Sequence, residues 1–389
     1  MTSPDPKRTA EVRRRRLHYF SGFDPRGAAH YHRLCREEAA KPQPSGDLLS
    51  VGPREKLDRR SSRWTVDWKD GAQGKVAVST EHVFMSWDDI VRAHWTRGPF
   101  ALAADFVRTY AHLFRHIGAR RVWRMYPPAF KAGVLPLALV LAPLLVAIAL
   151  GSVIGWWGAL AGLALGAGLW VLAGRAGLFW LLRIYGFFRR MGAGPVAGLE
   201  ERTREWVDLI VARQEQDPVD EVLLVGHSVG TLVMLDAVDA LLEDPRWQVL
   251  QAGRPTAMLT LGHSIPMVAI PPAAHAFRAT VERLSRDRRL FWWDVTARID
   301  PLCFYNLHPL AGSGVPHADA RWPLLHTARF MHMYEPAAWA RIRADKLQAH
   351  FLYLHTPQKR GNFSPYDVFY GPQGLQAHAG IPRRPATHG

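Results

Sequence analysis

From Ala132 to Gly174 the chain runs for 43 residues without a single Asp, Glu, Lys, Arg or His. A helix needs about 20 apolar residues to cross the hydrocarbon core of a bilayer. The run is therefore too long for one span and suits two spans joined by a tight turn. The composition predicts a helical membrane hairpin, with its turn between Gly151-Ser152 and Gly155-Trp156. Trp156 and Trp157 are expected at one membrane interface, and Trp123, Tyr126, Trp180 and Tyr185 near the other. Arg115, Arg120, Arg121, Arg124 and Lys131 precede the run, Arg175, Arg183, Arg189 and Arg190 follow it, and the turn carries no charge. By the positive-inside rule both ends face the cytoplasm, so the expected location is the cytoplasmic (inner) membrane, with two spans and the rest of the chain on the cytoplasmic side.

The remaining sequence is that of a folded protein. The 389 residues carry 49 Lys and Arg against 34 Asp and Glu, a net charge of +15. Such a balance suits a polyanionic partner. No RNP aromatic pattern, zinc-finger spacing or heptad-linked basic region is present, so nucleic acid is not expected and the lipid bilayer is the expected partner. Cys35 and Cys303 are the only cysteines, which excludes a disulfide framework. There is no His-Glu-x-x-His, and His30/His32 and His112/His116 are isolated pairs. No Walker loop or G-x-G-x-x-G opens a helix after a strand. Neither metal nor cofactor is expected.

The pattern divides the chain into a basic N-terminal tail at 1–16, which lacks the apolar core of a signal peptide, and a first soluble part at 17–117. The membrane hairpin with its basic flanks follows at 118–190, then a second soluble part at 195–360 and a C-terminal tail at 361–389. In the soluble parts, strands at 17–23, 221–225, 256–261 and 290–297 alternate with helices at 27–40, 196–214, 229–242 and 273–286, and a hairpin joins 63–68 to 75–80. That alternation predicts an α/β fold, a mostly parallel sheet with helices on both faces, interrupted by the membrane hairpin.

The sharpest chemical signal is Gly226-His227-Ser228-Val229-Gly230, a G-x-S-x-G pentapeptide lying between the apolar strand Val222–Val225 and an apolar-periodic helix. Strand, sharp turn and helix are the setting of a nucleophile elbow, in which small residues at 226 and 230 avoid clashes with the neighbouring strand and helix. Here the sequence resembles the α/β-hydrolase superfamily of serine esterases, lipases and thioesterases. The resemblance implies a triad in the chain order Ser, acid, His, with Ser228 as nucleophile. Gly262-His263-Ser264-Ile265-Pro266 also follows a strand, but Pro266 stands where the second glycine belongs, and Ser264 is set aside.

Asp300, in the loop beyond the 290–297 strand, is the expected acid; Asp294 lies within that strand and is expected to face outward or cap a neighbour. Eight histidines follow Asp300, and spacing does not choose among them. His350, in Gln348-Ala349-His350-Phe351-Leu352-Tyr353-Leu354, is similar in setting to a histidine near the end of a little-characterised group of bacterial hydrolase-like proteins. That group also carries the Ser-Gly-Phe-Asp-Pro-Arg-Gly matched here at Ser21–Gly27. His350 is the expected base, with His332 and His326 as alternatives. An oxyanion hole needs two backbone N–H groups; Val229 is expected to supply one and Phe23 the other, with Arg26 either fixing that loop or meeting a substrate anion. The expected function is a membrane-anchored serine hydrolase acting on a carboxylic ester or thioester, the substrate an acyl ester or lipid-like molecule. A non-catalytic membrane scaffold on the same fold and an acyltransferase remain as alternatives.

Overall fold

A computed structural model of the chain describes residues 12–380 apart from Ala176 and Ala252. Nine strands form one sheet: β1 (Arg14–Phe20), β2 (Leu48–Val51), β3 (Glu55–Lys56), β4 (Ser61–Lys69), β5 (Val76–Met85), β6 (Glu221–His227), β7 (Thr256–Leu261), β8 (Leu290–Thr296) and β9 (Leu324–Thr327). Their order is β2-β4-β5-β1-β6-β7-β8-β9, with β3 on β4. From β5 to β9 every pairing is parallel, and β4 runs antiparallel to β2, β3 and β5. The fold is α/β. Strands β6, β7 and β8 are buried at every position, which requires cover on both faces and explains why they read as unbroken apolar runs.

β1 lies at the centre of this sheet, between β5 and β6, although the hairpin separates β5 from β6 in the chain. The parts before and after the hairpin are thus one sheet, and the hairpin is inserted in the chain between β5 and β6, the two strands that flank β1. The basic run expected to belong to the tail enters β1 instead. Arg15 and Arg16 are buried because each finds a carboxylate: Arg15 Nε donates to Glu221 at 2.7 Å and Arg16 Nε to Glu81 at 2.5 Å. A buried charge is tolerated when it is paired and fully hydrogen-bonded. Arg15 also donates to the carbonyls of Phe369, Gly371 and Gln373, so residues placed in a C-terminal tail close over the sheet. Phe363, Tyr366, Phe369, Tyr370 and Leu375 are core residues, and residues 381–389 lie outside the described part.

The uncharged run forms two helices, Pro127–Ile154 and Trp156–Arg175, broken at Gly155 (φ +65°), inside the expected window. Both are long and apolar enough to cross a membrane, and only 12% and 17% of their most apolar stretches are buried in the protein. Apolar faces turned outward on this scale distinguish them from the core helices of a soluble protein. They pack against each other through Gly158 and Gly162; a Cβ at Gly158 would strike the Leu150 carbonyl, and one at Gly162 the Ala147 backbone. Small residues four apart are the usual means of close helix approach in lipid.

Of the aromatic residues expected at the interfaces, Trp156, Trp157 and Trp123 are exposed. Tyr126, Trp180 and Tyr185 differ: Tyr126 and Trp180 turn toward the sheet domain, and Tyr185 is covered by protein. Tyr126 Oη donates to the carbonyls of Arg298 and Asp300 (3.2 and 3.3 Å), Trp180 Nε1 donates to that of Phe23 (2.9 Å), and Tyr185 is buried. An amphipathic ring settles where its polar atom is satisfied, and for Tyr126 and Trp180 protein carbonyls do so.

Candidate active site

The C-terminal ends of parallel strands are where α/β sheets hold ligands. Four such ends carry the residues of interest: Ser21–Asp24 after β1, Ser228 after β6, Gly262-His263 after β7 and Asp300 after β8. His350 comes from the short helix Lys346–Phe351.

Ser228 joins β6 to the helix Gly230–Glu243 and adopts φ +56°, a left-handed conformation that costs a non-glycine residue about 1–2 kcal/mol. The surroundings hold it there. Its N–H donates to the Leu261 carbonyl (2.9 Å), and its carbonyl accepts from the Thr231 hydroxyl (2.6 Å) and N–H (3.1 Å). A Cβ at Gly230 would collide with the carbonyls of Phe20 and Ser21, so the turn closes against β1 only with glycine at that position.

His350 Nδ1 donates to Asp300 Oδ2 at 2.9 Å. Because a carboxylate only accepts, Nδ1 carries a proton, and in the neutral ring the lone pair is on Nε2. Nε2 is buried and, among the described residues, has no hydrogen-bond partner. Asp300 is fully buried; its Oδ1 accepts from the Leu302 N–H (2.8 Å) and its Oδ2 also from the Tyr353 hydroxyl (3.2 Å). Burial pushes this carboxyl up, but the charge and hydrogen bond of His350 and the Leu302 N–H outweigh it and hold it below the usual carboxylate range. His227, next to Ser228, bonds through Nε2 to the His350 carbonyl (3.1 Å), with the two rings 5.0 Å apart, which ties the base segment to the elbow. Burial holds His227 down to about 3, so it is neutral and can donate this bond.

The loop after β1 packs directly on the elbow: a Cβ at Gly22 would lie 3.3 Å from Ser228 Cβ. Trp87 Nε1 donates to the Ser21 carbonyl (2.9 Å), as Trp180 does to that of Phe23, and the Phe23 ring is caged by Trp87, Trp95 and Phe187. Among the described residues, neither the Val229 nor the Phe23 N–H is spent on another acceptor. Arg26 is committed to Asp24, whose carboxylate accepts from its guanidinium and backbone and from Tyr31. Trp180 also roofs the site, with its ring 6.5 Å from His350 and stacked on Phe351.

The alternative histidines lie elsewhere. His326, on β9, bonds to the Asn362 carbonyl and packs on Trp293, while His332 is exposed at the end of the turn Phe330–His332. Ser264 stands at the start of the short helix Ile265–Ala269 without capping it, its hydroxyl donating to the Leu302 carbonyl (2.9 Å). Asp294 does not face outward: it is buried, accepts from Thr260 (2.5 Å) and lies 3.5 Å from His263. Tyr353, His227 and Trp180 were not foreseen as site residues. Tyr353 stands only three residues beyond His350 in the same apolar run, which was the available signal. Comparison with protein-family models, with curated proteins and with solved structures finds no match to this chain.

Proposed function

We propose that the chain is a membrane-anchored serine hydrolase of the α/β-hydrolase kind that cleaves a carboxylic ester or thioester. The observation that carries this reading is a serine held in a left-handed turn whose neighbour His227 is bonded to the backbone of His350, a buried histidine with its Nδ1 fixed by a carboxylate and its Nε2 unengaged. In this mechanism Ser228 Oγ attacks the acyl carbonyl while His350 Nε2 takes its proton. The N–H groups of Val229 and Phe23 receive the developing oxyanion. His350 then returns the proton to the leaving alcohol or thiol, and water, activated by the same nitrogen, releases the acid from the acyl-serine. Asp300 keeps the imidazole in the Nδ1–H tautomer and balances the imidazolium.

The basic flanks and the uncharged turn support an inner-membrane hairpin with the site on the cytoplasmic side. A lipid-like ester is then the substrate best placed to reach Ser228. The test is labelling of membranes with a serine-directed fluorophosphonate. The wild type is expected to label and Ser228→Ala not to; labelling that survives the substitution, or is absent from the wild type, removes the hydrolase reading. Carbonate washing tests the anchor separately, and retention in the pellet is expected.

A further inference from the structure

Where the hairpin meets the soluble part, the protein leaves a narrow apolar cleft of about 650 Å³, its open mouth included. Tyr110, Phe114, Val122, Phe130, Val134 and Leu302 are among the residues that line it. Of the two phenols in its lining, Tyr110 and Tyr185, the Tyr110 Oη is already used, donating to the Gly133 carbonyl (2.6 Å). At about 1.5 Å per residue, the 28-residue first span is roughly 42 Å long and the 20-residue second span roughly 30 Å. The second matches the hydrocarbon thickness. The first therefore overshoots by about two turns, and those turns, Pro127–Val134, form a wall of the cleft, which places it at headgroup depth.

The charge around it is one-sided. Between Asp105 and Glu200 there is no acidic residue, while ten Arg and Lys occur. Arg120, Arg121 and Arg124 lie on the helix Ala119–Met125, which also contributes Ala119 and Val122 to the cleft. All three are exposed, and among the described residues none meets a carboxylate. Other exposed arginines, such as Arg246 with Asp208 and Asp244, and Arg289 with Glu243 and Asp287, are neutralised, and those that are not, such as Arg321 and Arg341, are not beside this cleft. Unpaired guanidinium groups beside an apolar slot match a molecule with a phosphate at one end and a hydrocarbon chain at the other.

We propose that this cleft binds one acyl chain of an anionic phospholipid, with the lipid phosphate among Arg120, Arg121 and Arg124. The inference rests on the membrane half of the reading above and not on the hydrolase half.

The experiment uses the full chain in phosphatidylcholine vesicles doped with a phosphatidylglycerol or a phosphatidylcholine carrying a diazirine on one acyl chain, with crosslinks mapped by mass spectrometry after irradiation. The phosphatidylglycerol probe is expected to label cleft residues about fivefold more than the phosphatidylcholine probe for each arginine engaged. Ala129→Trp or, independently, Val134→Trp should fill the cleft and remove that labelling while labelling of the second span persists. Arg120→Gln, Arg121→Gln and Arg124→Gln combined should bring the two probes level. Crosslinks spread evenly over the lipid-facing helices with no enrichment at the cleft overturn the site, and equal labelling by the two probes in the wild type overturns the headgroup assignment. Release of the wild type by carbonate, measured beforehand, identifies failure of the membrane reading instead.

Discussion

The chain contains Gly-His-Ser twice, at 226–228 and 262–264, each time at the end of one of two adjacent parallel strands. The two segments fold differently. In the first the left-handed residue is Ser228 (φ +56°); in the second it is Gly262 (φ +58°), and Ser264 relaxes to φ −121°. Glycine takes a left-handed turn at no steric cost, so the second segment stores no strain and its serine hydroxyl is consumed by the Leu302 carbonyl. In the first, Gly230 lets the helix start press against the carbonyls of β1, and the sharp bend falls on the serine itself. Each segment also has a buried His–Asp pair nearby. His350 and Asp300 meet at 2.9 Å through Nδ1, whereas His263 and Asp294 stand 3.5 Å apart through Nε2. The tripeptide alone does not set the geometry; the place where the backbone bends does.

The most severe way to break this contrast is at the two serines. Ser228→Ala should lower turnover of an activated ester by about 10⁴–10⁶-fold, measured as kcat on purified protein, because nucleophile loss disables the whole constellation. The acids come next: Asp300→Asn should lower kcat by about 10³–10⁴-fold by freeing the imidazole to adopt the wrong tautomer, while Asp294→Asn should leave kcat unchanged. If the two Asp variants behave alike, the second pair belongs to the chemistry and the contrast fails.

The bend itself is open to a smaller perturbation. Gly230→Ala should cost about 1–3 kcal/mol in denaturant unfolding by forcing the helix off β1, and should reduce fluorophosphonate labelling. Pro266→Gly should not make Ser264 react. A pH series distinguishes the environment of Asp300 further. Its folded pKa is depressed, so the stability it contributes is complete above the ordinary carboxylate value near ~4 and is lost as pH falls through the lower folded value. Asp300→Asn should lack that acid-dependent component when unfolding is followed at several pH values from neutral downward. The least effect is expected for Ser264→Ala, about 1 kcal/mol for one lost hydrogen bond, with labelling intact.

Much of this is legible in the sequence. The uncharged run announced two helices, and the elbow could be read because glycines flank a serine between a strand and an apolar helix. Asp300 followed from its place after a strand. Spacing alone did not choose the histidine, because eight lie beyond Asp300; the resemblance around Gln348–Leu354 pointed to His350, and the fold brings that ring to the Asp300 carboxylate. Long-range pairing hid the rest. Arg15 and Arg16 read as a solvated tail because their carboxylates, Glu221 and Glu81, lie 206 and 65 residues away. Trp180 and Tyr126 read as an interfacial belt because a sequence does not reveal that the acceptor for an indole or phenol is a protein carbonyl.

The central position of β1 also sets a timetable for biosynthesis. Its two neighbours are β5, complete by Met85, and β6, which begins at Glu221. At ~5–20 residues per second, about 10–40 s separate synthesis of β1 from that of β6. Throughout that interval one edge of β1 has no partner, and both apolar helices emerge within it. On the membrane reading proposed above, delivery of the hairpin to the bilayer precedes closure of the sheet, and the nascent chain must keep a naked strand edge out of trouble until its elbow is made.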